Sequence, residues 1–149
     1  SKLKNYDEAI QCYDIALKLD SNDLSILINK ISSMRKKGAF TEALSYCNII
    51  LQNNPNYNIV LYHKERILFS MNNFEESIIC CDAILKDYPN NGDVLFDKSC
   101  NLAMLSRIND ALVTLENAIS QGIQYKIKAK KSKYFEKLIE NPKFQKLIS

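Results

Sequence analysis

Apolar residues recur along this chain at intervals of three and four, the spacing that lines one face of a helix. That pattern itself recurs. "YDEAIQCYDIALKLDS" from residue 6, "FTEALSYCNIILQNNP" from 40 and "FEESIICCDAILKDYP" from 74 share one shape. Tyr6, Phe40, Phe74 and Ile108 recur at a constant 34-residue period with no insertion. Further columns hold the same period. Ala9, Ala43, Ser77 and Ala111 are small, and Ile10, Leu44, Ile78 and Leu112 are aliphatic. Ala16, Ile50, Ile84 and Ala118 are apolar, followed by Leu17, Leu51, Leu85 and Ile119. The segments between these stretches repeat as well, through Leu27, Leu61 and Leu95, then Lys30, Lys64 and Lys98, then Met34, Leu68 and Leu102.

Two kinds of break separate the helical stretches. Short ones read "KKGAF", "SMNNF" and "LSRIN"; longer ones read "LDSND", "NNPNYN" and "YPNNGD". Proline cannot continue a helix, and Asn and Asp suit caps and turns. Each unit is therefore expected to be helix, tight turn, helix, longer turn. The expected helices are 6–19, 24–37, 40–53, 58–71, 74–87, 92–105 and 108–121. Small columns let antiparallel helices approach closely, and each pair leaves an apolar face for the next to cover.

Over residues 1 to about 123 the sequence resembles the tetratricopeptide repeat family. The resemblance rests on the aromatic-x-Glu-small-aliphatic run (Tyr6, Glu8, Ala9, Ile10; Phe40, Glu42, Ala43, Leu44; Phe74, Glu76, Ser77, Ile78) and on the closing Pro55 and Pro89. It implies an all-α fold, an α-solenoid of antiparallel helix pairs wound into a right-handed superhelix with a concave groove. The chain departs from the family in three places. Leu27, Leu61 and Leu95 replace a bulky aromatic; Ile31, Glu65 and Ser99 replace a small residue; the closing proline is missing after the first and last units. Glu65, at a contact that is normally tight, is expected to loosen its repeat or to find a polar partner.

The whole chain is expected to form one solenoid domain, with a partial repeat at 1–23, repeats at 24–57, 58–91 and 92–125, and a cap at 126–149. In the repeat register "SKLK" corresponds to the last turn of a preceding helix, which makes a fragment of a longer array the favoured reading. The stripe after Tyr6 would then lack its cover and offer a route to self-association. At the other end, Tyr134, Phe135, Leu138 and Ile139 fall at helical spacing, and Asn141-Pro142 opens a last short helix with Phe144, Leu147 and Ile148. This stretch resembles the segment that closes many prokaryotic proteins of the family.

Composition narrows the function classes. The chain has 149 residues, three Gly, three Pro and no run of about 18 apolar residues that would cross a membrane. The opening residues contain no apolar signal-peptide core, so a cytoplasmic location is expected. Five Cys without a C-x-x-C pair, and a single His, argue against a zinc site. Cys47 and Cys81 share an apolar column with Tyr13 and Leu115 and read as core, whereas Cys80 shares a mixed, partly exposed column with Cys12, Tyr46 and Thr114. No Gly-rich phosphate loop and no nucleophile-base pairing stands out. Neither a cofactor nor catalysis is expected.

Charge is uneven. Residues 124–149 carry eight Lys against Glu136 and Glu140, net +6, and the remainder nets −3. A basic tail suits an acidic partner or a phosphate backbone, though few aromatics accompany it to stack bases.

The family resemblance implies that the first helix of each repeat lines the concave side. The positions this selects are Ile28, Asn29 and Ser32, with Ser25 and Arg35; then Ile59, Tyr62, His63, Arg66 and Phe69; then Asp93, Phe96 and Asp97, with Cys100 and Ala103. An apolar stripe with polar flanks suits an extended peptide or a helix. Members that grip the carboxylate tails of chaperones place cations here; Asp93 and Asp97 would repel such a tail. The expected function is a non-enzymatic protein–protein interaction scaffold. The alternatives are nucleic-acid or anionic-partner binding through the Lys-rich cap, and an accessory repeat domain of a longer enzyme.

Overall fold

A computed structural model of the chain describes residues 2–19 and 23–149, the side chains of 15–19 excepted. The ordered elements among these residues are helices. They are α1 (Lys2–Leu19), α2 (Leu24–Lys37), α3 (Phe40–Asn53), α4 (Asn58–Ser70), α5 (Phe74–Asp87), α6 (Gly92–Met104), α7 (Ile108–Gln121), α8 (Ile123–Lys131), a 3-10 helix (Lys133–Leu138) and α9 (Pro142–Ile148). Helices α2 to α7 fall within one residue of the ranges that periodicity predicts. The columns at Ala16 and Leu17 lie outside the described side chains.

The tight turns show why the period is so regular. Gly38, Asn72 and Ser106 occupy one position in successive repeats, and they are the described residues with a left-handed backbone, at φ 96°, 62° and 60°. After α2 the Ala39 amide donates to the Met34 carbonyl at 2.9 Å, and after α6 the Arg107 amide donates to Leu102 at 2.9 Å. These bonds close the helix end and redirect the chain. Glycine takes such a φ without steric cost, asparagine tolerates it, and serine does so at a cost of roughly 1 kcal/mol. At the same register Lys4 lies inside α1. The expectation that "SKLK" closes a preceding helix is therefore corrected: Lys2, Leu3 and Lys4 are good helix formers with no left-handed residue to stop them, and they extend α1.

Contacts divide the chain into two compact units, Ser1–Met71 and Asn72–Ser149. In the first, α2 packs on α1, α3 and α4, and α3 also packs on α4. Its core holds Ile28, Ile31, Met34, Ala43, Cys47, Ile50, Val60 and Ile67, with Ile10, Phe40 and Leu44 packed against them. Asp23 caps α2, its Oδ1 accepting from the Ser25 and Ile26 amides at 3.0 and 3.3 Å. The Ser25 hydroxyl and the Ile26 amide hold that carboxyl below its usual value.

In the second unit α6 is central, with α5, α7, α8 and the 3-10 helix packed on it, while α9 packs on α7 and α8. Asn91 caps α6 by accepting from the Val94 amide at 3.2 Å. Asn141 caps α9 by accepting from Lys143 and Phe144 at 3.0 and 3.1 Å, with Pro142 in the first turn. The expected helix through Tyr134 and Ile139 is instead the short 3-10 turn. It buries Phe135 and Leu138 but leaves Ile139 56% exposed, because the tighter winding turns that residue outward.

The small column is fully buried at Ala43, Ser77 and Ala111, as close helix crossing requires. Ile31, Glu65 and Ser99, where the family has a small residue, are also fully buried. Cys47 and Cys81 are core. Cys80 is buried too, contrary to its expected partial exposure; a thiol is small enough for its neighbours to cover where Tyr46, at the same repeat position, stays half-buried.

The Lys column has a structural cause. Lys30 reaches back from α2 to Asp14 on α1 (Nζ to Oδ1, 2.5 Å), and Lys98 reaches from α6 to Asp82 on α5 (2.6 Å). Each spans the same sixteen-residue separation in the same register, so one ion pair joins successive helices twice. Lys30 also donates to the Tyr46 hydroxyl at 3.0 Å and lies 4.6 Å from its ring centroid. Burial pulls the Lys30 ammonium down, but hydrogen bonds to Asp14 and Tyr46 outweigh it and hold the group above its usual value.

Candidate functional site

The first helices of the repeats carry the positions the sequence singles out, and the structure sorts them by use. In the first unit, Ile28 belongs to the core and is not surface. Asn29 is exposed and Ser32 half-buried on α2. On α4, Ile59 is 50% exposed, Tyr62, Arg66 and Phe69 are half-buried, and His63 is buried.

Tyr62, His63 and Arg66, with Arg35 from α2, form one cluster. Arg66 Nη1 donates to the Tyr62 hydroxyl at 2.7 Å, and its guanidinium lies 5.3 Å from that ring's centroid. Residues four apart on a helix are neighbours on its surface, which is why this pair meets. The Tyr62 and His63 rings stand edge-on at 6.1 Å. Arg35 Nε, from the last turn of α2, donates to His63 Nδ1 at 3.4 Å. That bond requires an unprotonated Nδ1. Burial first, then the charges of Arg35, Arg66 and Lys36, pull the imidazole from 6.5 down to about 4. His63 is therefore neutral at physiological pH, and the formal charge of the cluster resides on Arg35 and Arg66. Cation and aromatic lie side by side on the helix that carries exposed Ile59.

In the second unit the same repeat positions face the chain's own C-terminal segment. Asp93 accepts from the Tyr125 hydroxyl at 2.9 Å, and Lys128 Nζ lies 3.9 Å from the same carboxylate. Phe96 stacks on Tyr125 at 6.1 Å and meets Phe135 edge-on at 5.9 Å. Lys128 sits over both rings, 5.8 Å from Phe96 and 5.5 Å from Tyr125. Asp97 is half-buried, and its carbonyl accepts from Asn101 Nδ2 at 3.0 Å. Cys100 and Ala103 are buried rather than lining a surface.

Sequence reasoning missed the partnership of Tyr125 and Lys128 with Asp93 and Phe96. The signal was present: Tyr125 and Ala129, one turn apart, mark an inward stripe on a helix starting where a further repeat would begin. No group of His, Cys, Asp or Glu able to hold a metal occurs among the described residues, and none of their helices is long and apolar enough to cross a membrane.

Helix pairs closed at a constant interval define a tetratricopeptide-like α-solenoid fold. Solved structures carry the same fold. The chain matches MamA 41-end from Desulfovibrio magneticus RS-1 at TM-score 0.75 and 14% identity, over 99% of this chain and 94% of that one. It matches MamA MSR-1 at TM-score 0.73 and 15% identity, over 97% and 86%. It matches TTC0263, a thermophilic TPR protein in Thermus thermophilus, at TM-score 0.71 and 16% identity, over 97% and 88%. No family model matches the sequence, and no curated protein matches it.

Proposed function

We propose that this chain is a non-enzymatic protein-interaction scaffold that receives a peptide segment with an acidic residue on the α2–α4 face of its first unit. The carrying observation is the cluster of Arg35, Tyr62, neutral His63 and Arg66, with exposed Ile59 on the same helix. Two guanidiniums offer charge-assisted bonds to a carboxylate, and the tyrosine ring and the isoleucine offer apolar contact. The buried, neutral imidazole keeps Arg35 placed without adding a third charge.

The test is a pull-down comparing wild type with Tyr62→Ala/Arg66→Ala, with bound protein and bound nucleic acid both analysed. A protein lost only in the variant supports the reading and identifies the partner. Nucleic acid held equally by both and released by salt would assign the function to the Lys-rich C-terminal segment instead.

A further inference from the structure

Helix α8 is apolar on two sides. Its Tyr125 and Ala129 face the second unit and are buried. At about 100° per residue, Ile123 and Ile127 fall on the opposite side, where they are 66% and 49% exposed. Lys130 and Lys131 flank them, both exposed. A helix that meets water on its outer side normally carries polar residues along that line. The basic 124–149 segment, net +6, surrounds the pair.

The same unit carries acidic residues on α5 and α7, both of which pack on α6. Ile79 on α5 and Val113 on α7 occupy one position in successive repeats and are 67% and 60% exposed. Their two helices hold Glu75, Glu76, Asp82, Asp87, Asp110 and Glu116 against Lys86; with Lys98 paired to Asp82 and Arg107 paired to Glu75, a net charge of −3 remains. Two β-branched side chains in an acidic field match two β-branched side chains in a basic one.

We propose that α8 of one copy docks on the α5–α7 face of a second copy, with Ile123 and Ile127 packed against Ile79 and Val113 and the lysines facing the carboxylates. A phosphate backbone would meet the charge but bury neither isoleucine. A lipid surface needs a longer apolar stripe than two side chains one turn apart. The α5–α7 face supplies both complements. Because the two faces differ, the contact is heterologous and propagates from copy to copy. It is separate from the first unit's cluster and from any route through α1.

Sedimentation equilibrium on the full chain, over a range of concentrations and at low and high salt, tests this. The expected result is a mass above the monomer that grows with concentration and falls with salt. Ile123→Glu/Ile127→Glu removes one face and Ile79→Glu/Val113→Glu the other, and each should weaken self-association about tenfold or more. Circular dichroism checks that helix content is retained. Mixing the two variants leaves one intact face on each molecule, so the mixture should form a heterodimer and stop there. A wild type that stays monomeric throughout overturns the proposal. So does a double variant that assembles like wild type, or a mixture that remains monomeric. Dissociation by Leu3→Glu alone would move the contact to α1 and overturn it as well.

Discussion

The Tyr125 hydroxyl bonds the Asp93 carboxylate at 2.9 Å, and its ring occupies the space that a side chain on Gly92 would need. A Cβ at residue 92 would lie 2.4 Å from the nearest ring carbon, far inside van der Waals contact. Glycine at the start of α6 thus lets α8 close over the α6 face. Gly92→Ala should cost about 1–3 kcal/mol, as overpacking does in a filled site. Tyr125→Ala should cost stability on its own but make Gly92→Ala nearly free. Thermal melts of both single variants and the double variant measure this. Equal cost of Gly92→Ala in both backgrounds would show that the ring is not what constrains residue 92.

His63 sets a pH dependence whose sign follows from its environment. Its folded value is pulled to about 4, and an unfolded chain takes up the proton near 6.5. Between those values the unfolded state binds more protons, so stability is full above pH 6.5 and declines as pH falls toward 4. The loss across that window is about 2–3 kcal/mol. Denaturant unfolding at several pH values should show this slope. His63→Gln, less stable at neutral pH, should flatten it; an unchanged slope would place the responsible group elsewhere.

How much could be read in advance depends on what sets each feature. Helices α2 to α7 were legible because side-chain periodicity and turn residues agree at every repeat. Gly38 announced its left-handed turn, whereas Ser106 did so only by standing one full repeat after Asn72. The stretch around Ile139 misled because apolar residues three and four apart fit the first turn of either helix type, and the 3-10 winding has diverged from the α-helical one by Ile139. The site was harder. That Tyr62 and Arg66 are neighbours follows from one helix turn. The Arg35–His63 bond joins two helices, and no local pattern encodes the rotation that aims one at the other. Asp93 and Phe96 were assigned to an open face because their partners, Tyr125 and Lys128, lie roughly a whole repeat further on, where the repeat signature has ended.

The Lys30–Asp14 and Lys98–Asp82 pairs share geometry but not surroundings. The Lys30 side chain is 9% exposed and touches Tyr46, whereas that of Lys98 is 25% exposed. Screening by water weakens the second pair. Double-mutant cycles to alanine should give a coupling of about 1 kcal/mol or more for Lys30–Asp14 and about 0.5 kcal/mol for Lys98–Asp82. The middle repeat has Lys64 but presents Asn48 at the acidic position. Asn48→Asp should therefore stabilise the protein by about 0.3–0.5 kcal/mol, an increment that high salt removes. A destabilising Asn48→Asp would show that the recurrence is geometric coincidence.

Ser77 on α5 and Asn101 on α6 form a buried polar contact at repeat positions that hold alanine or isoleucine elsewhere, with Ser33 as the other polar occupant. Asn101 Nδ2 donates to Ser77 Oγ and to the Asp97 carbonyl, each at 3.0 Å, and both side chains are fully buried. The Asn101 Oδ1 atom is buried without a hydrogen bond. At the same repeat positions Ala43 and Ala111 stand in place of Ser77, and Ile67 in place of Asn101, and all three are fully buried. Removing one member of a buried pair strands the other, whereas replacing both by apolar groups removes the penalty. Ser77→Ala should thus cost about 1 kcal/mol, because the Asn101 amide loses an acceptor. Ser77→Ala/Asn101→Ile should be as stable as wild type or more so, since the double variant also removes the oxygen that has no donor. Chemical denaturation of both variants decides the matter. A double variant destabilised beyond Ser77→Ala would mean that the Asn101 bond to the Asp97 carbonyl, rather than the bond to Ser77, holds this part of α6.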